Sequence, residues 1–197
     1  MTTTITDDNT TEVEIVGIRD GREGLSGSVV DGNPGRVDGL FVVQLTNPSQ
    51  NQVVVTLTDG IGNPLVTNGT AANDPVLGLG NDDYQNTSLS NVVFAPGDQS
   101  EIASIDVVDD FITEGDETVV ATLGTATFTV DSTGAVPASG NVVISTTNGS
   151  DSVDIIDDDT SILTVEQGVV VNEDDGTASI TVTLDTAVQN GLSLIHI

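Results

Sequence analysis

Several acidic residues lie in one short loop between two apolar segments, Val107-Val108 and Val119-Val120. These residues are Asp109, Asp110, Glu114, Asp116 and Glu117. So many negative charges at close spacing repel one another unless a cation lies among them. Ca²⁺ takes about six to eight oxygen ligands at roughly 2.3 to 2.6 Å and tolerates irregular geometry. The loop therefore predicts a calcium site.

Other interpretations of this loop remain open. Mg²⁺ also binds oxygen, but it requires a tighter octahedron and retains its waters, so it ranks second. Zinc is disfavoured because the chain has no cysteine and one histidine, His196. The loop is alternatively a solvated acidic segment of a salt-adapted surface, without any metal.

The charge balance of the whole chain narrows its partners. Its 197 residues include 31 Asp and Glu against 3 Lys and Arg, which gives a formal net charge of -28. This charge excludes a nucleic-acid backbone or an anionic membrane surface as the partner, and it favours cations. The absence of cysteine excludes disulfides and thiolate metal sites, so outside the cell the fold would be stabilised by packing and by oxygen-ligated ions. Its 37% hydrophobic content predicts a folded core rather than a disordered acidic tail.

The composition gives little support to enzyme catalysis. Nucleophilic triads need a histidine or lysine base, but the chain has no lysine or cysteine, and its one histidine, His196, lies in the C-terminal segment interpreted below as a non-native tail. Paired carboxylates would suit a glycosidase, but 3% aromatic residues and no Trp leave no platform for a sugar ring. We therefore predict a binding protein with no catalytic residues.

The elements that position these carboxylates are predicted to be β-strands. Apolar residues alternate with polar ones in six segments, at Phe41/Val43/Leu45, Val53/Val55/Leu57, Ala103/Ile105/Val107, Val119/Ala121/Leu123, Ala126/Phe128/Val130 and Ile180/Val182/Leu184. This period of two is typical of half-buried strands. Turn signals separate the strands, and no segment keeps a helical period for three turns. The pattern predicts an all-β fold, an antiparallel β-sandwich.

An internal repeat indicates how the chain is divided. The segment 5–10 (ITDDNT) aligns with 155–160 (IIDDDT) at an offset of 150 residues. We interpret residues 1–9 as the end of a preceding module or linker, 10–159 as a complete module and 160–191 as the truncated start of a second. Residues 192–197 (LSLIHI) resemble the translation of a sequencing-library adapter and are interpreted as a non-native tail, which removes His196 from consideration.

Six sequence pieces occur in the order found in a known family. They are Glu23, Asn68-Gly69-Thr70-Ala71, Asp83-Tyr84, Phe94-Ala95-Pro96-Gly97, Val108-Asp109-Asp110 with Glu114 and Glu117, and Ile156-Asp157-Asp158-Asp159. Over most of residues 10 to 159 the chain thereby resembles the Calx-beta domain, and 171–178 resembles the beginning of another copy. It departs from the family pattern by insertions at 24–34 and between Ala71 and Asp83, by a long excursion from Gly124 to Gly149, and by the lack of an aromatic residue after Glu117.

The resemblance implies an immunoglobulin-like sandwich that binds Ca²⁺ at one end, through loops far apart in sequence. The metal ligands that it implies are Glu23, Asp83, Asp109, Asp110, Glu114, Glu117, Asp157, Asp158 and Asp159. Asp157 to Asp159 would bind the same ions and also begin the linker to the next module. Calcium would thereby stabilise the junction between the two modules. Gly115 is expected to supply the backbone freedom with which the acidic loop reverses.

Three functional hypotheses follow. The first is a calcium-stiffened structural module of a large secreted or cell-surface, adhesin-like protein, which would place the chain outside the cell with neighbouring modules as its partners. The second is a regulatory Ca²⁺ sensor on the cytoplasmic side of a membrane transporter. The third is a calcium-dependent enzyme domain or an accessory to one. No run is long and apolar enough to insert into a membrane.

Overall fold

The chain folds as β-strands joined by loops. The computed structural model describes residues 10–24, 36–58, 83–85, 89, 91–109, 112–129, 141–168, 170, 172, 174, 176–177 and 179–188. Among these residues there is no α-helix, and hence no helix that could cross a bilayer. The predicted segments 1–9 and 192–197, the motif at 68–71 and Asp110 lie outside the described residues.

Fourteen strands are present in the described part of the chain. They are β1 (Thr10–Arg19), β2 (Gly21–Arg22), β3 (Gly39–Leu45), β4 (Val53–Thr58), β5 (Tyr84–Gln85), β6 (Val92–Phe94), β7 (Ser100–Val107), β8 (Ile112–Thr113), β9 (Glu117–Phe128), β10 (Asn141–Ile144), β11 (Ser150–Ile156), β12 (Leu163–Val165), β13 (Val182–Leu184) and β14 (Ala187–Val188).

Most of these strands form two five-stranded sheets. The first sheet has the order β10-β1-β3-β7-β5 and the second has the order β2-β11-β9-β4-β6. Most neighbouring strands are antiparallel, but β1 with β10 and β2 with β11 are parallel. The pairs β12-β13 and β8-β14 form two further two-stranded ribbons.

The alternating apolar residues of both sheets meet in one core. Phe41 on the first sheet and Phe94 on the second are 0% exposed, and Tyr84 is 1% exposed. Burial of one large apolar side chain contributes roughly 1.5 to 3 kcal/mol, so the facing rows hold the two sheets together. The predicted all-β sandwich is confirmed.

One part of the strand pattern differs from the prediction. The apolar rows ending at Leu123 and starting at Ala126 were predicted to be separate strands, but both lie on the single strand β9. The row changes phase because β9 pairs with β4 through a shift in register at this point. Gly124 lies at the shift, where a larger residue would not fit because its Cβ would stand 2.6 Å from the hydroxyl oxygen of Thr56.

The strand pairing of β1 with β3 occurs a second time in β12 with β13. Val13 stands opposite Leu45 in the first pair, and Leu163 stands opposite Leu184 in the second. The offset is 150 residues between Val13 and Leu163 but 139 between Leu45 and Leu184, and the difference of 11 equals the length of the 24–34 insertion. The repeat read from the sequence therefore has a matching strand register, while the module boundaries stay a prediction.

Strand register brings the acidic loops to one end of the sandwich. Arg22 at the end of β2 lies beside Ile156 at the end of β11, and Ile155 lies opposite Glu117 at the start of β9. Val107 at the end of β7 lies opposite Tyr84 at the start of β5. The loops that carry the predicted ligands therefore leave the two sheets side by side.

The described glycines include one that packing requires and one that it does not. A Cβ on Gly17 would collide with the carbonyl oxygen of Ser152 on the facing sheet. A Cβ on Gly115 would meet nothing within 4 Å, and the φ angle of Gly115 lies outside the left-handed region. The prediction that the acidic loop needs glycine at 115 for its reversal is wrong, because the backbone there is open to any residue.

We expect Gly17→Ala to destabilise the protein and Gly115→Ala to leave it nearly unchanged. Overpacking between sheets costs about 1 to 3 kcal/mol, whereas an added methyl group in open space has no neighbour to displace. Urea denaturation in EGTA measures both free energies of unfolding. Equal values for the two variants would contradict the close approach of the sheets at Gly17.

Candidate metal centre

All of the predicted ligands that the structure describes lie at the end of the sandwich where β2, β7 and β11 end. Each belongs to a loop or to a strand terminus, so the sheets position its backbone. Glu23 follows β2, Asp83 precedes β5, Asp109 follows β7, Glu114 follows β8, Glu117 begins β9, and Asp157, Asp158 and Asp159 follow β11.

Two groups of carboxylates are close enough to share an ion. One consists of Glu23, Asp157 and Asp159, and the other of Glu23, Asp83 and Glu114. Within each group, one oxygen atom per residue lies within 4.8 Å of the others. Glu23 belongs to both groups, so its carboxylate lies close to the other four members.

Burial makes these groups costly without a cation. Glu23 is 4% exposed, Asp83 2% and Asp159 9%. Two like charges 4.8 Å apart repel by about 3.5 kcal/mol at an effective dielectric constant of about 20. Buried charges also lose hydration, so a divalent cation would relieve both costs at once.

Hydrogen bonds hold the loops of the site in register. Both carboxylate oxygens of Asp157 accept backbone N–H groups, from Glu114 at 2.8 Å and from Asp159 at 3.0 Å. The carboxylate of Asp109 accepts the N–H of Gly24 at 3.2 Å. Asp157 therefore links the acidic loop to the segment after β11 even in the absence of metal.

Backbone bonds fix the two most buried ligands. The N–H of Glu23 donates to the carbonyl of Ile156 at 3.1 Å, which extends the β2-β11 pairing to the ligand itself. The N–H of Val108 donates to the carbonyl of Asp83 at 2.9 Å and thereby joins the end of β7 to the residue before β5. These ligands are thus positioned by the sheets.

Asp158 occupies an unfavourable environment for a charged group. Burial raises the pKa of its carboxyl group above the ordinary value, neighbouring Arg22 lowers it, and the charges of Asp109 and Asp157 raise it further. Its Oδ1 atom is buried and accepts no hydrogen bond from the described residues. An oxygen of this kind suits a metal ion as its missing partner.

The sequence prediction and the geometry agree on some ligands more closely than on others. Five predicted residues form the two groups, whereas Asp109, Glu117 and Asp158 lie at the same end but outside both groups. Asp116 is exposed. Arg22, which lowers the local negative charge, was missed, although its position directly before Glu23 was the available signal.

The donor set indicates which metal would fit. Every member of the two groups offers a carboxylate oxygen, and the five residues come from four segments far apart in sequence. Calcium accepts many oxygens in irregular geometry, whereas magnesium requires a small octahedron and zinc prefers nitrogen and sulfur. The residues at this end of the sandwich therefore fit Ca²⁺ best.

Comparison with known proteins gives one family. The family model of the Calx-beta domain matches residues 30–148 and 157–194, which is more than half of the chain. This match supports the immunoglobulin-like form of the predicted sandwich. No curated protein sequence matches the chain.

Two solved structures are similar in part. One is the apo form of the Calx CBD1 domain, with 16% sequence identity, 75% of this chain and 99% of that chain covered, and a TM-score of 0.39. The other is a two-domain protein of unknown function from Bacteroides fragilis NCTC 9343, with 13% identity, 80% and 54% covered, and a TM-score of 0.40.

Neutralising two adjacent carboxylates is expected to have opposite effects on the metal-free protein. Asp157→Asn replaces one hydrogen-bond acceptor by an amide that faces an N–H donor, so we expect a loss of about 1 to 2 kcal/mol. Asp158→Asn removes a charge that partial burial disfavours more than Arg22 favours it, so we expect a higher melting temperature. Both variants lose one negative charge, and thermal melting in EGTA compares them.

A shift of the same sign in both variants would show that net charge alone governs this end of the sandwich. In that case the hydrogen bonds that Asp157 accepts would have no special role.

Proposed function

Since this chain belongs to the Calx-beta domain family, a family of calcium-binding modules, we propose that its clustered carboxylates bind Ca²⁺. The family is regulatory and structural rather than catalytic. We further propose that the chain is a structural module of a large secreted or cell-surface, adhesin-like protein, in which calcium stiffens the module and its junction with the next one.

The observation that carries the calcium proposal is the position of Glu23. Its carboxylate belongs to both groups of acidic residues, and the side chain is 4% exposed. One carboxylate can bind two cations through its two oxygens, and a bridging role would explain why so much charge is gathered around this residue. We propose a site for at least two adjacent ions.

The stiffening role follows from where the ligands come from. Glu23 and Asp159 are far apart in sequence but belong to one group, and Asp83 and Glu114 add two more loops. Cations bound by the two groups and joined through Glu23 would cross-link the loops at this end of the sandwich. Because Asp159 directly precedes Thr160, the same cations would also fix the direction in which the following segment leaves.

The structural role is supported by features outside the site. A repeated β1-β3 pairing suits an array of modules, and an acidic chain without cysteine suits stabilisation by external calcium. The alternative, a regulatory sensor domain of a membrane transporter on its cytoplasmic side, would use the same ligands at a much higher affinity.

We expect calcium to stabilise the protein and Glu23→Gln to remove most of that gain. A site that exists only in the folded state stabilises by about 2.7 kcal/mol at one hundred times its dissociation constant. Glu12→Gln is the matched control, because it removes the same charge. Glu12 lies near the start of β1, at the end of the sandwich away from the carboxylates. Calorimetric titration and thermal melting with Ca²⁺ or EGTA provide the measurements.

A melting curve that is the same in Ca²⁺ and in EGTA would overturn the calcium proposal. An equal loss of binding in both variants would show that Ca²⁺ responds to overall charge rather than to the residues around Glu23.

The affinity for Ca²⁺ separates the two functional roles. Extracellular modules bind with dissociation constants of roughly 10⁻⁴ to 10⁻³ M, whereas sensors bind at roughly 10⁻⁷ to 10⁻⁵ M. For an extracellular structural module we expect a value in the millimolar to submillimolar range at physiological ionic strength. A dissociation constant of about 10⁻⁵ M or lower would instead favour the transporter sensor.

A further inference from the structure

The segment that follows the carboxylate site returns to contact it. Strand β14 pairs in parallel with β8, with Ala187 beside Ile112 and Val188 beside Thr113. Strand β8 directly precedes Glu114, which belongs to one of the two carboxylate groups. A strand from the second repeat thus forms a ribbon with the loop that carries the proposed calcium ligands of the first.

Three hydroxyl groups join these segments. The Oγ atom of Ser161 lies 2.9 Å from the hydroxyl oxygen of Thr113 and 2.5 Å from that of Thr186. The hydroxyl of Thr186 also donates to the carbonyl of Thr160 at 3.2 Å. Each hydroxyl has one proton, so a consistent chain runs from Thr113 to Ser161, from Ser161 to Thr186 and from Thr186 to Thr160.

A second set of bonds makes the contacting segments one unit. The N–H of Ile162 donates to the carboxylate of Asp185 at 2.6 Å, and the N–H of Asp185 donates to the carbonyl of Ile162 at 3.2 Å. Residues 160–162 are therefore bound to the turn that leads into β14. The strand and the hydroxyl of Ser161 reach β8 together.

We propose that residues 160–162 and 185–188 form a docking unit that binds β8 without metal and holds the calcium loop in place. We call the hydroxyl groups of Thr113, Ser161 and Thr186 the hydroxyl latch. The partner of β8 is thus the beginning of the next copy of the same fold. The contact is distinct from the carboxylate cross-link, since no member of the hydroxyl latch carries a charge.

The docking unit acts on a ligand through its neighbour. Thr113 is held by Ser161, and the N–H of Glu114 is held by Asp157. The backbone on both sides of the Thr113–Glu114 peptide bond is therefore fixed before a cation binds. Binding then costs less conformational entropy, because this part of the loop is already ordered. Ser161 and Thr113 are positioning residues for Glu114 in this arrangement.

The test uses the full chain in EGTA first. We expect Ser161→Ala to accelerate amide hydrogen exchange at Thr113 and Glu114 roughly three- to tenfold, the effect of one lost hydrogen bond. Ser152→Ala is the control, because Ser152 is an exposed serine on β11 whose amide pairing does not involve its side chain. Exchange at the core residue Val43 reports any general loss of stability.

A second pair of variants separates the hydroxyl from the side-chain volume. Thr113→Val keeps the shape and favours a strand but removes the hydroxyl, so we expect faster exchange at Glu114. Thr113→Ser keeps the hydroxyl and is expected to retain slow exchange. Unchanged exchange in both Ser161→Ala and Thr113→Val would overturn the proposed docking, whether or not the protein binds calcium.

The positioning role rests on the proposed calcium function and has its own measurement. We expect Ser161→Ala to weaken Ca²⁺ binding three- to tenfold in calorimetric titration, with Ser152→Ala unchanged. Faster exchange with unchanged affinity would overturn the positioning role. If the parent protein binds no Ca²⁺, the proposed function fails, while the exchange data alone still decide whether the docking unit exists.

Discussion

Repulsion among buried carboxylates at one end of the sandwich is the constraint on which the other features of this structure depend. Glu23, Asp83 and Asp159 are buried beside other acidic groups, and few cationic side chains exist to balance them. The sheets hold these residues together through backbone bonds that carry no net charge. The free energy that the core provides therefore maintains an electrostatically unfavourable arrangement, which is the usual condition of a metal site before its ion binds.

The sandwich could be predicted from the sequence because alternation of apolar residues is a local signal. Positions such as Phe41 and Val43 show by spacing alone which face of the strand is buried, and the structure agrees. The acidic loop could be predicted in the same way, since Asp109, Glu114 and Glu117 are near neighbours along the chain. Both signals are contained within about ten residues and do not depend on which strands pair.

Features that depend on pairing could not be obtained in this way. The central place of Glu23 follows from the parallel alignment of β2 with β11, which no local pattern encodes. Strand β9 contains a register shift whose sequence pattern resembles the end of a strand. The contact between Ser161 and Thr113 joins two different repeats. Small polar residues of that kind have no periodicity that would single them out.

The parallel pairing of β2 with β11 has a mechanical consequence for a chain of repeated units. Strand β1 starts at the end of the sandwich remote from the carboxylates, and β11 ends beside them. Tension on such an array would pull β2 and β11 in opposite directions along their length. All ladder bonds would then share the load, a geometry that resists rupture better than peeling the bonds apart singly.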